Sequence, residues 1–106
     1  MTLWARRAVI AEEMRRTREN SRLLPGIRIP KEVEVTSDEA GIASAAEAAL
    51  VFAVPSHGLR EVARRIGGRG LAAPVIVSAV KGLEAETLLR PSQVIQEETG
   101  ADQGEI

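Results

Sequence analysis

Apolar and polar positions change period several times along the chain, and each change marks an element. Thr2–Ala5 is a short apolar stretch bounded by charge, which predicts a brief strand. From Arg7 to Asn20, Ala8, Ile10, Ala11 and Met14 fall on one side with charges elsewhere, the spacing of an amphipathic helix. Leu24-Pro25-Gly26 and Ile29-Pro30 then predict a break in regular structure. Glu32 to Thr36 alternates charged and β-branched residues, as a half-exposed strand does. Thr36 and Glu39 have capping-box spacing, so a helix of small residues is expected through about Ala48.

The second half carries longer apolar runs. Leu50-Val51-Phe52-Ala53-Val54 is continuous, the pattern of a strand buried on both faces of a parallel sheet, and Pro55-Ser56 ends it. Leu59, Val62, Ala63 and Ile66 recur at helical spacing before Gly67-Gly68 stops them. Pro74 to Val80 predicts a second buried strand. Pro91 to Glu98 predicts a short helix with proline at its start and Gly100 just beyond its end. The predicted order β-α-β-α-β-α-β-α gives an α/β fold with a mainly parallel sheet. There is no internal repeat.

Composition narrows the chemistry. The 106 residues suit one small domain or part of a larger one. A net charge of −1 argues against a general nucleic-acid binder, which needs a basic surplus. Charge is uneven, with six Arg against three Glu over residues 6–22, and five Glu and one Asp against one Arg over 82–106. Two solvated helix faces account for this. The absence of cysteine excludes disulfides, zinc ribbons and thiol nucleophiles, and a single His excludes His-rich metal sites. No metal site is expected. No apolar run reaches the length of a membrane span, and the start of the chain lacks a signal-peptide core. The expectation is therefore a cytoplasmic protein. Trp4 and Phe52 are the only aromatic residues, so the core must come from Val, Ile, Leu and Ala.

Ligands of doubly wound sheets bind at the carboxyl ends of strands, and three groups of residues fall there. Arg6 and Arg7 follow the first strand, where an acidic residue would select NAD and an arginine accommodates the 2′-phosphate of NADP. Opening an exposed helix is the competing explanation, and spacing alone supports both. Pro55-Ser56 follows the Leu50–Val54 strand. Ser56 either caps the next helix and does nothing more, or leaves backbone N–H groups facing a pyrophosphate or nicotinamide. Lys81 follows the Pro74–Val80 strand beside Gly82, where a compact cation can hold a phosphate or a carbonyl oxygen. It is one of two lysines among twelve arginines.

Other motifs carry less. His57 has no evident nucleophile or metal partner nearby in sequence and reads as a surface residue. Gly67-Gly68-Arg69-Gly70 follows a helix rather than a strand and reads as a turn, not a phosphate loop. Glu12-Glu13 and Glu97-Glu98 are adjacent in sequence, so each pair is expected to splay across its helix.

Taken in order, several segments resemble the bacterial NAD(P)-dependent glycerol-3-phosphate dehydrogenases. They are Leu3-Trp4-Ala5-Arg6-Arg7, Thr17-Arg18-Glu19-Asn20 with Leu24-Pro25-Gly26, Ala53-Val54-Pro55-Ser56 with Leu59-Arg60-Glu61-Val62, and Ser78 to Glu84. Lys81-Gly82-Leu83-Glu84 is the strongest part, and the match covers nearly all of the chain. Val80 stands where the family commonly has Thr, and Leu23 where it often has an aromatic.

The resemblance implies a partial Rossmann-type doubly wound parallel sheet that binds NAD or NADP. Trp4, Arg6 and Arg7 would bind the cofactor, the two arginines at its adenosine end. Pro55 and Ser56 would shape the floor near the nicotinamide. Lys81 would touch both cofactor and glycerol phosphate. The family reaction moves a hydride between the nicotinamide and dihydroxyacetone phosphate, giving sn-glycerol 3-phosphate for phospholipid synthesis.

The family's first strand and Gly-x-Gly-x-x-Gly loop have no counterpart before Met1, and its helical substrate domain, which holds the acid/base lysine, has none either. Residues 1–99 are thus expected to form an incomplete nucleotide-binding domain, with 100–106 as a frayed tail. No catalytic residue is expected within the chain, nor activity from it alone. Because the absent strand is central in this topology, the Thr2–Ala5 and Leu50–Val54 strands should flank an empty slot with unsatisfied edges. The chain is then a fragment, or pairs those two strands directly, or borrows edge pairing from a second copy as a homo-oligomer. Two other functions fit the pattern: part of another hydroxyacid-type dehydrogenase, or a non-catalytic α/β module that pairs through its edges.

Overall fold

The computed structural model describes residues 1–45, 49–68, 75–101 and 106, which fall into two compact units, Met1–Asp38 and Glu39–Ile106.

The first unit is built from β1 (Thr2–Trp4), α1 (Ala8–Thr17), β2 (Glu19–Asn20), β3 (Leu24–Arg28) and β4 (Glu34–Thr36). β1 and β4 pair in parallel, Thr2 opposite Glu34 and Trp4 opposite Thr36. Ala5 extends the ladder by donating its N–H to Thr36 O at 2.9 Å. The apolar face of α1 buries Ala11 and Met14 against Val35, with Ala5, Ile10 and Ile29 packed around them. This short, mostly aliphatic core follows from the helical spacing of the sequence.

α1 ends three residues before the predicted limit. Arg18 takes a left-handed conformation, φ 58°, and its N–H donates to Met14 O at 2.7 Å. That geometry is costly for a residue with a side chain. The Arg18 guanidinium offsets it by donating to Pro30 O and Val33 O, each at 2.6 Å. Arg15 donates to Val35 O through Nε at 3.2 Å and Nη2 at 3.1 Å. Residues 34 and 36 bond β1, so Val33 O and Val35 O face away from that ladder, and the two arginines close this edge of β4.

The Leu24-Pro25-Gly26 segment, expected to break regular structure, forms β3 and pairs antiparallel with β2. Glu19 fixes the hairpin by accepting from Gly26 N–H at 3.0 Å. A proline is tolerated because β3 is an edge strand. Leu24 and Ile27 remain exposed on it, as does Leu23 in the turn before it.

The second unit contains α2 (Glu39–Ala45), β5 (Leu50–Phe52), a 3₁₀ turn (Ser56–Gly58), α3 (Leu59–Gly67), β6 (Ile76–Ser78) and α4 (Pro91–Thr99). Thr36 does not sit at the residue directly before α2. Its hydroxyl accepts from Asp38 N–H at 3.0 Å, forming a turn ahead of the helix. Residues 46–48, over which α2 was expected to run on, lie outside the described residues, as do Arg69, Gly70, Pro74 and 102–105 of the tail.

β5 and β6 pair in parallel, Leu50 opposite Ile76 and Phe52 opposite Ser78. Neither is buried on both faces as the apolar runs predicted. Val51 is 57% exposed and Val77 42%, while Leu50, Phe52 and Ile76 join the core. A ribbon alternates its side chains between two faces, and the buried residues here take only one. The core also includes Leu59, Val62, Ala63 and Ile66 of α3 with Val94 and Ile95 of α4. α3 and α4 approach so closely that a Cβ on Gly67 would lie 2.8 Å from Glu98 O.

Candidate functional site

The sequence-predicted residues divide between the two units. In the first, Trp4 ends β1 half-buried, and Arg6 and Arg7 follow it on an exposed bend. Arg7 stands at the N-cap of α1 in an extended conformation, φ −100° and ψ 130°. Both guanidinium stems therefore leave from the carboxyl end of a parallel strand. Leu23 is 80% exposed and packs on nothing substantial.

In the second unit the parallel register brings Pro55 and Lys81 to matching places. Each lies three residues beyond a paired position, Phe52 or Ser78. Ser56 opens the 3₁₀ turn that runs into α3, where Gly58 N–H donates to Pro55 O at 3.0 Å. No side chain caps either the turn or α3. Ser56 is exposed and is not the cap that its spacing allowed.

Lys81 is exposed on the loop after β6. Gly82 follows with φ +89°, a conformation that side-chain-bearing residues rarely adopt, so a glycine bend comes directly after the lysine. Among the described residues no carboxylate forms a salt bridge with Lys81. Arg60, Arg64 and Arg65 of the same unit are all ion-paired.

An open cleft of about 470 Å³ lies beside this loop. Ser56, His57, Arg60 and Glu61 line one side, and Leu83 to Thr87 line the other. His57 is exposed, as expected, yet shares this cleft.

The cleft wall is held by an ion-pair network that sequence reasoning missed. Arg60 Nε donates to Glu84 Oε2 at 2.7 Å and Nη2 to Oε1 at 2.8 Å, a two-pronged pair. Thr87 Oγ1 also donates to Glu84. Arg60 Nη1 reaches Glu97 at 3.1 Å and Glu98 at 3.4 Å. Arg64 Nη2 donates to Glu98 at 3.0 Å. Glu97 and Glu98 thus converge on one guanidinium instead of splaying apart. Adjacent carboxylates on a helix diverge from one another, but a long arginine from a neighbouring helix spans both.

The hydrogen bonds from Arg60 and then Thr87 hold the Glu84 carboxyl down at about 2. The bond to Glu84 in turn raises the already high Arg60 value further. Both residues stood in recognised segments, but no periodicity connects positions so far apart in the chain. Among the described residues no cluster of His, Cys, Asp or Glu could hold a metal ion, and no helix is long and apolar enough to cross a membrane.

Comparison with known proteins adds a context to this geometry. The family model for the NAD-dependent glycerol-3-phosphate dehydrogenase N-terminus matches residues 1–106. A glycerol-3-phosphate dehydrogenase [NAD(P)+] of Salinibacter ruber is 46% identical over 100 residues, covering 94% of this chain and 29% of that protein. One from Pelotomaculum thermopropionicum is 42% identical over 100 residues, covering 94% and 28%. The chain thus spans under a third of the length of these relatives.

Among solved structures, the glycerol-3-phosphate dehydrogenase of Coxiella burnetii superimposes with a TM-score of 0.74 at 26% identity, over 94% of this chain and 30% of that one. DsGPDH of Dunaliella salina shares the fold, with a TM-score of 0.76 at 24% identity over 95% and 19%.

Proposed function

This chain belongs to the family of NAD-dependent glycerol-3-phosphate dehydrogenase N-termini, and on that premise we propose that it serves nucleotide binding in such an enzyme. The reaction is hydride transfer between NAD(P)H and dihydroxyacetone phosphate, yielding sn-glycerol 3-phosphate in the cytoplasm. One observation carries the assignment of the site. Lys81 is an exposed cation without a carboxylate partner among the described residues, at the carboxyl end of a parallel strand, behind a glycine turn.

Such a lysine can donate to the phosphate of the substrate and to the cofactor at no cost in broken ion pairs. Pro55 and Ser56, at the matching place beyond β5, form the floor near the nicotinamide. The turn after Pro55 supports this reading, because no side chain caps it and it follows the carboxyl end of β5. Trp4, Arg6 and Arg7 bind the cofactor, the arginines at its adenosine end, favouring a 2′-phosphate and hence tolerance of NADP. Residues 1–99 carry these contacts as an incomplete nucleotide-binding domain.

A hybrid in which this chain replaces the matching segment of the Salinibacter ruber relative tests the proposal. It should oxidise NADPH in the presence of dihydroxyacetone phosphate, and Lys81→Ala should lower kcat/KM by about 100-fold, as loss of a charge-assisted contact does. Undiminished activity in Lys81→Ala would overturn the assignment of the site.

A further inference from the structure

The loop that carries Lys81 is anchored on both sides by hydrogen bonds that do not use the lysine side chain. On the strand side, Ala79 N–H donates to Phe52 O at 2.9 Å and Val80 N–H to Ser78 Oγ at 3.3 Å. On the far side, Glu84 is held through backbone and side chain together. Its N–H donates to Leu89 O at 2.9 Å, and its carbonyl accepts from Leu88 N–H at 2.8 Å. Its carboxylate sits in the fork of Arg60.

Between Lys81 and Glu84 lie only Gly82 and Leu83, both exposed. A Cβ on Gly82 would meet nothing within 4 Å, so nothing packs where a side chain at the turn would stand. Its direction is set by its two ends. The Arg60 end is itself fixed, because Glu97 and Glu98 of α4 hold the same guanidinium from behind.

We infer that Arg60 is a positioning residue for Lys81, acting through Glu84 to fix where the Lys81-Gly82 turn carries the ammonium group. The inference rests on the role proposed above for Lys81. A lysine stem has four rotatable bonds and a point charge at its tip, so the fold controls it mainly by placing its backbone. The guanidinium fork fixes the direction of Glu84 as well as its distance, which a single charge contact does not. A misplaced backbone at Lys81 weakens the grip on a phosphate without removing any group that touches it.

Two substitutions test this while keeping side-chain size. Arg60→Lys keeps the charge and loses the fork. Glu84→Gln keeps the shape and loses the charge. In the hybrid enzyme each should raise KM for dihydroxyacetone phosphate about tenfold, the factor given by about 1.4 kcal/mol, with a smaller change in kcat. The double variant should be no worse than the weaker single, because both remove one shared element.

In the 106-residue chain, amide hydrogen exchange at Glu84 and Leu88, whose N–H groups bond Leu89 O and Glu84 O at the far end of the loop, should quicken about tenfold in both variants while Ile95 in α4 is unchanged. A purely structural staple would lower the melting temperature and leave KM as it was. That result, or unaltered exchange in the loop, overturns the inference and leaves the proposed function standing. An unsubstituted hybrid that fails to reduce dihydroxyacetone phosphate defeats the proposed function instead, and loop exchange then decides whether Arg60 fixes the turn.

Discussion

Gly67 is where the second unit is most exposed to a single added methyl group. It ends α3 against the last turn of α4, and a Cβ there would lie 2.8 Å from Glu98 O, 3.0 Å from Thr99 Cα and 3.2 Å from Thr99 Cγ2. Two of those three atoms are backbone, so no rotamer change relieves the clash. The nearest contact falls about 0.6 Å short of the 3.4 Å of ordinary van der Waals approach, so α4 must shift by that order.

Overpacking of this kind costs about 1–3 kcal/mol. Alanine recovers up to ~1 kcal/mol over glycine in a helix. Gly67→Ala should therefore destabilise the chain by about 1–2 kcal/mol, a fall of roughly 5–15 °C in Tm for a domain near this size. Thermal and urea melts measure it, with an unchanged m value showing that the compactness of the unfolded state is unaltered. Gly68→Ala is the internal control. Gly68 has helical φ of −67°, and its nearest contact, Arg64 O, is 3.3 Å away, so its Tm should change little. The strain falls on the turn bearing Glu98, so Gly67→Ala should also loosen the bond from Arg60 to that residue. A Gly67→Ala chain that melts at or above the parent temperature would refute the close-approach argument.

Other outcomes follow from the same contacts. Because the Glu84 carboxyl is held at about 2, below the ordinary 4.5, its ion pair contributes fully above pH 4.5 and is lost as pH falls toward 2. A carbon-13 titration of the carboxyl should show a midpoint near 2, moving up toward 4.5 in Arg60→Lys; an unperturbed midpoint in the parent chain contradicts the pairing. Gly82→Ala should cost about 1–2 kcal/mol from backbone strain alone, since nothing obstructs the new methyl group; a urea midpoint equal to the parent would show that the positive φ is not required. Arg18→Ala removes two contacts to backbone carbonyls and should cost about 1–2 kcal/mol. Combined with Arg15→Ala it opens the β4 edge, so sedimentation should detect more self-association than in the parent. Arg6→Ser with Arg7→Ser in the hybrid should raise KM for NADPH several-fold more than KM for NADH, and an equal change in both would exclude a 2′-phosphate contact.

The sequence alone determined which segments are helices and parallel strands, because that information is local. Period 3.6 in Leu59, Val62, Ala63 and Ile66 and the run at Leu50–Phe52 needed no partner to be recognised, and all of these residues but Val51 are buried. The Lys81-Gly82-Leu83-Glu84 segment was equally legible, and with its companions it sufficed to point to the family.

Tertiary structure decided whatever depends on a second segment. The β2–β3 hairpin, hidden by Pro25, sets Glu19 opposite Arg28 and Asn20 opposite Leu24, a pairing that only the two segments together define. The bare faces of Val51 and Val77 reflect which side of the ribbon the unit covers, and an apolar run is silent on that. The Arg60–Glu84 pair joins residues 24 positions apart, with Glu97 and Glu98 further still. Local periodicity carries no record of such distances; only the packing of α3 beside α4 and the turn at Gly82 brings those charges within bonding range.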